Sequence, residues 1–200
     1  NITSGGDNLG TVTILGDASG KAQSITGDIG SSASSDIKVL NIGESGVSTN
    51  YSTTTINGNV FASSTVLNNN GTTNSSTLIL SNGSDITSTI TTADSNMGIL
   101  TLSGSSIITG AVGTNTDKLA QVNSGTNGSS STITDNVYAV NVTNTGTGTT
   151  TFKNDLTATN LNVNAGTTNV EDNLTATTTT ITTGTGNFNT ISGNTSSNIS

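Results

Sequence analysis

Short bursts of alternating apolar and polar residues, most of them closed by a glycine, run along the chain. Val12-Thr-Ile14 precedes Gly16, Leu40-Asn-Ile42 precedes Gly43, and Leu78-Ile-Leu80 precedes Gly83. The pattern returns as Leu100-Thr-Leu102 before Gly104, Val140-Asn-Val142 before Gly146, and Leu161-Asn-Val163 before Gly166. Alternate side chains of a strand point to opposite faces, so each triplet sends two apolar residues inward and one residue, mostly Thr or Asn, outward. Glycine then supplies the positive φ of a tight turn. The i, i+3, i+4 spacing of a buried helix face does not extend beyond a turn anywhere, which predicts almost no helix.

Short strands and turns suit a sandwich, a barrel or a solenoid, and repetition separates them. Phe152-Lys153-Asn154-Asp155-Leu156-Thr157-Ala158-Thr159 returns eighteen residues later as Val170-Glu171-Asp172-Asn173-Leu174-Thr175-Ala176-Thr177. Such an echo is what a parallel solenoid needs, because each coil buries its apolar face only against its neighbours. The expected fold is all-β, a right-handed parallel β-helix with almost no helix. At about 20 residues per coil and about 4.8 Å per coil, it would have about ten coils and a length near 50 Å. Stacking the two octets in register sets Lys153 beside Glu171, Asn154 beside Asp172, Asp155 beside Asn173, and Leu156 over Leu174.

A longer echo overlies the coils. Asn8-Leu9-Gly10-Thr-Val12-Thr-Ile14-Leu-Gly16 matches Asn96-Met97-Gly98-Ile-Leu100-Thr-Leu102-Ser-Gly104, and Ile25-Thr26-Gly27-Asp28-Ile29-Gly30 matches Ile108-Thr109-Gly110-Ala111-Val112-Gly113. Residues 1–200 therefore read as one β-helical segment of a longer chain, with two approximate internal modules at 8–95 and 96–181.

Composition narrows the choice further. Thr, Ser, Asn and Gly make up about five-eighths of the 200 residues; charged residues are 8%, aromatics 2%, and Pro, Cys, Trp, His and Arg are absent. A disordered Ser/Thr-rich stalk is the competing reading, but disorder goes with Pro, Lys, Glu and high net charge, whereas this chain lacks Pro and is rich in β-branched residues. The net charge is -8 with four scattered lysines, which argues against a nucleic acid partner. The apolar runs are too short for a membrane helix, so no membrane span is expected within the segment.

Candidate chemistry is sparse. Without His or Cys, the segment holds no histidine-based triad, thiol nucleophile or ordinary zinc site. A carbohydrate-acting β-helix enzyme would need paired carboxylates, and the adjacent pair Glu171-Asp172 would point to opposite faces of a strand. Gly5-Gly6-Asp7 is not the calcium-binding nonapeptide, and its Asp is expected to bond to local backbone. The Thr-x-Thr pairs Thr11/Thr13, Thr87/Thr89, Thr157/Thr159 and Thr175/Thr177 would give an ice-binding-like array if stacked on one face, although strands favour Thr on either face. Asn-Gly at Asn57, Asn70, Asn82 and Asn127 is expected to mark turns. No catalytic, cofactor-binding or metal-ligating residue is assigned, and no cofactor is expected.

The runs ITGDIGSSASSDIKVLNIG (25–43) and ITGAVGTNTDKLAQVNSG (108–125), with the two octets, resemble the passenger regions of rickettsial outer-membrane autotransporters of the outer membrane protein B type. Related repeats occur in many bacterial autotransporters and haemagglutinin-like exoproteins. The resemblance implies a surface-exposed β-helical passenger at the outer face of a Gram-negative outer membrane, part of the protein coat and contributing to adhesion. The partners to consider are a host-cell surface protein or glycan, and further copies of the chain in a surface layer. Loops between coils, at Ser31 to Asp36 and Asn123 to Ser131, are the expected contact points.

Overall fold

Phe152 stacks between Ile133 and Val170, each one coil away, and the column continues through the molecule. It runs Ile2, Ile29, Val60, Ile86, Ile108, Ile133, Phe152, Val170, Phe188, with every neighbouring pair in parallel register. A second column runs Val12, Leu40, Thr65, Ile90, Val112, Val137, Leu156, Leu174, Ile191. Nothing but a parallel solenoid threads one chain through such columns, and the fold is an all-β solenoid. This computed structural model describes residues 1–31, 35–44, 46, 50–70 and 74–192. Among them the one helical turn is the 3-10 segment Thr126–Gly128, and the one antiparallel strand pair is Asn69–Asn70 with Asn74–Ser75.

The coils number fewer than the ten expected. Successive members of the first column lie 27, 31, 26, 22, 25, 19, 18 and 18 residues apart, which makes eight coil-to-coil steps. At about 4.8 Å per step the rod is roughly 40 Å long. The twenty-residue estimate suits the C-terminal coils, but the N-terminal coils carry extra residues at their corners.

Each C-terminal coil turns inward three pairs of residues, for example Val137/Ala139, Val142/Asn144 and Thr150/Phe152, all buried. Inside, Ile, Leu and Val form one continuous core with Ala139, Ala158 and Ala176 stacked on one side. The expected inward pair Val140/Val142 is shifted by one step: Val140 is half-buried, while Val142 and Asn144 face the lumen. Register with strand Leu156–Val163 sets this, because Leu161 lies over Val142 and Val163 over Asn144. Asn144 is accommodated by donating its amide to the Thr167 carbonyl at 2.9 Å. Thr150 Oγ1 likewise donates to Ser124 Oγ at 2.8 Å.

Two backbone devices close the corners. At one, Gly148, Gly166 and Gly184 stack so closely that a Cβ on Gly166 would lie 2.2 Å from the Gly148 carbonyl oxygen. At another, an Asx residue in each of the first four coils accepts the backbone N–H of the residue stacked one coil on. Asn1 Oδ1 receives Asp28 N at 3.0 Å, Asp28 Oδ1 receives Asn59 N at 2.8 Å, Asn59 Oδ1 receives Asp85 N at 3.0 Å, and Asp85 Oδ1 receives Ile107 N at 2.8 Å. A second run, beside the second column, joins Asn136, Asp155 and Asn173. In both runs Asn and Asp alternate, which keeps carboxylates two coils apart and limits their repulsion.

The sequence echo at 8–16 and 96–104 carries the same backbone. Asn8 and Asn96 have φ of 54° and 64°, and among described residues they are the non-glycine residues with positive φ. Yet Val12 stacks with Leu40, whereas its counterpart Leu100 stacks with Leu78 and Val122 on a different side. Ile29 and Val112, matched in the second block, likewise occupy the first and second columns. The later copy is displaced by one side of the coil, so a single local motif serves more than one corner.

Candidate functional site

Outward residues of seven stacked strands, among them the triplet middles Ile79, Thr101, Asn141 and Asn162, build the most regular outer surface. Thr53, Thr77, Ile99, Gln121, Asn141, Asn160 and Thr178 form one straight row, and Thr55, Ile79, Thr101, Asn123, Thr143, Asn162 and Thr180 form the next. All fourteen are half-buried by their neighbours in the sheet, and none is charged. Uneven coil lengths leave this side untouched, because the extra residues enter at corners.

Side-chain hydrogen bonds tie the rows together. Asn160 Nδ2 donates to Asn141 Oδ1 at 2.8 Å, Gln121 Nε2 to both Thr143 Oγ1 and Asn123 Oδ1 at 3.0 Å, and Asn123 Nδ2 to Thr101 Oγ1 at 3.3 Å. Asn141 Nδ2 donates to the Ala120 carbonyl at 3.2 Å. These bonds hold amides and hydroxyls in fixed positions while leaving further acceptor and donor capacity toward solvent. A second, shorter ladder on another side joins Thr151, Asn169 and Asn187, with Asn187 Nδ2 donating to Asn169 Oδ1 at 2.7 Å.

The four Thr-x-Thr pairs do not form one continuous array. Thr11 and Thr13 lie opposite Val39 and Asn41, Thr87 stacks on Thr109, and a bulge separates Thr87 from Thr89 in its pairing with the preceding coil. Thr157 stacks on Thr175, one coil on.

Other sequence candidates fall at corners. Glu171 and Asp172 are both exposed at an irregularity in the ladder instead of facing opposite sides of a strand. Glu171 is held by Lys153, and Asp172 Oδ1 accepts from Asn173 Nδ2 at 3.0 Å. The stretch from Asn123 to Ser131 is a tight corner, not a loop: Ser124 and Ser131 are buried, and Thr126–Gly128 forms its turn. Next to that corner, Asn82, Ser103, Ser105 and Ser129 line a shallow polar recess. Of the loop from Ser31 to Asp36, residues 32–34 lie outside the described residues, as does the glycine after Asn70. Gly83 and Gly128 do turn with φ of 78° and 72°, as their Asn-Gly pairs predict.

Among the described residues no group of three or more acidic side chains could hold a metal ion. Asp17 is the carboxyl moved from its ordinary range. The Ser19 hydroxyl at 2.6 Å, with the backbone N–H groups of Ser19 and Lys21, holds it below the usual 3.8. This is turn chemistry on an exposed loop facing Tyr51.

No family model, curated protein or solved structure matches the chain. No helix among the described residues is long and apolar enough to cross a membrane.

The rows were half legible. The outward orientation of Ile79, Thr101, Asn141 and Asn162 could be read from their triplets, but not that coils of unequal length would align them on one side while Thr13 and Asn41 fall on another.

Proposed function

We propose that the chain is a structural and adhesive segment of a bacterial cell-surface autotransporter passenger, forming part of the surface coat and contacting host cells. The observation that supports it is the unbroken pair of inward columns from the first described coil to the last, over eight coil steps. Such a stack satisfies backbone groups between coils and holds outward side chains on a stiff support. Presentation is then the mechanism: rows of Asn, Gln and Thr are fixed in space before any partner arrives, so little ordering entropy is lost on contact. The resemblance of residues 25–43, 108–125 and the two octets to rickettsial autotransporter passengers supplies the cell-surface setting.

The test is attachment. Beads coated with the 200-residue chain should bind cultured host cells above beads coated with an unrelated β-rich protein of similar charge. Equal binding of the two would reject the adhesive role.

A further inference from the structure

Resting on the surface-contact role above, we propose that the flat side carrying Thr53, Thr77, Gln121, Asn141, Asn160 and Thr178 binds a neutral, hydroxyl-rich polysaccharide laid along the rod axis. Three features of the surface point to this partner. Its two rows contain amides, hydroxyls and two isoleucines but no charge, although the chain as a whole carries a net charge of -8. A polyanion would be repelled by that net charge and would find no cation on this side to neutralise it. A strongly charged protein partner would have its own charges desolvated against uncharged groups, which is costly.

Area decides against a second copy of the chain. Seven strands at about 4.8 Å and two rows about 7 Å apart, with side-chain width added, give a footprint of roughly 350 Å². A stable protein interface needs about 800 Å² per partner. A single extended sugar chain, in contrast, fills a narrow strip and repeats its contacts along it.

The chemistry of the rows matches sugar hydroxyls, which both donate and accept. Asn and Gln amides and Thr hydroxyls do the same, and here they are already oriented by one another, as in Asn160 to Asn141 at 2.8 Å and Gln121 to Thr143 at 3.0 Å. Ile79 and Ile99, second and third in their rows, offer an apolar patch within the strip for the C–H face of a sugar ring. Each coil supplies a weak contact, and their sum along the axis acts as avidity.

The test uses the 200-residue chain on immobilised β-glucan, mannan and poly-N-acetyllactosamine, with heparan sulfate as the anionic comparison. We expect retention on at least one neutral polymer and none on heparan sulfate. Asn141→Glu combined with Asn160→Glu should weaken that retention at least tenfold. Because two new carboxylates one coil apart also strain the fold, the milder pair Thr143→Ala with Asn162→Ala is measured beside it and should weaken retention about threefold with an unchanged circular dichroism spectrum. Thr151→Ala with Asn169→Ala, on another side, should leave retention unchanged. Absence of retention on every neutral polymer, retention on heparan sulfate alone, or equal loss in the Thr151/Asn169 pair would overturn the proposal. Host-cell attachment without retention on any neutral polymer rejects this partner and leaves the adhesive role standing; retention without attachment does the reverse.

Discussion

Lys153 Nζ reaches both carboxylate oxygens of Glu171, at 3.2 and 3.1 Å, from the matching position one coil below. The same register puts Asn173 Nδ2 2.8 Å from Asp155 Oδ1 and Leu174 directly over Leu156. Eighteen residues of sequence thus become one coil of structure. Both ends of the ion pair are about half exposed, at 50% and 48%, so its energy is small. A double-mutant cycle with Lys153→Ala and Glu171→Ala should give a coupling of about 0 to 1 kcal/mol. Denaturation in 1 M salt should abolish it; a coupling that persists there would mean the pair is not solvent-screened.

Leu174 is fully buried while its neighbour Thr175 is exposed. Leu174→Asp buries an unpaired charge and should unfold the neighbouring coils, and Leu174→Ala should cost about 2 to 5 kcal/mol. Thr175→Asp should stay within about 0.5 kcal/mol of the parent. Circular dichroism and thermal melting of the three variants check the inward and outward assignment one residue at a time.

Gly166 has φ of 66° and lies against the Gly148 backbone, whereas Gly83, with φ of 78°, has open space around it. Gly83→Ala meets the left-handed conformation alone and should cost about 1 to 2 kcal/mol. Gly166→Ala adds a backbone collision and should cost about 3 kcal/mol or more. Equal losses in urea denaturation would mean the corner can spread without penalty.

Asn59 sits between Asp28 and Asp85 in the Asx ladder. Asn59→Ala removes the acceptor for Asp85 N–H and should cost about 1 to 3 kcal/mol. Asn59→Asp keeps an acceptor but places three carboxylates in successive coils, so its loss should shrink as salt is added, while that of Asn59→Ala should not. Melting both variants across a salt series separates the two effects.

Thr179 offers the opposite sign. Its hydroxyl is buried with no hydrogen-bond partner, in line with Leu161 and Val142. Thr179→Val keeps the shape, removes the unpaired group and should raise stability by about 1 kcal/mol in denaturant unfolding.

The strand bursts, the near absence of helix, the parallel stacking and the Lys153 to Glu171 contact were all written in the order of apolar and polar residues. They depend on period-two alternation and on an exact eighteen-residue repeat, which are local or directly copied signals. Tertiary structure alone decided the count of eight coil steps, since residues inserted at corners lengthen a coil without altering its inward pattern. It decided that Asn144 faces the lumen in place of Val140, because stacking on Leu161 and Val163 overrides the local preference for burying a valine. It decided too that the repeat at 96–104 turns onto a different side from 8–16, and that fourteen residues spread over the chain align into one uncharged surface. A one-dimensional pattern states which side chains point in or out of a strand; which coils those strands stack on follows only when every corner is closed.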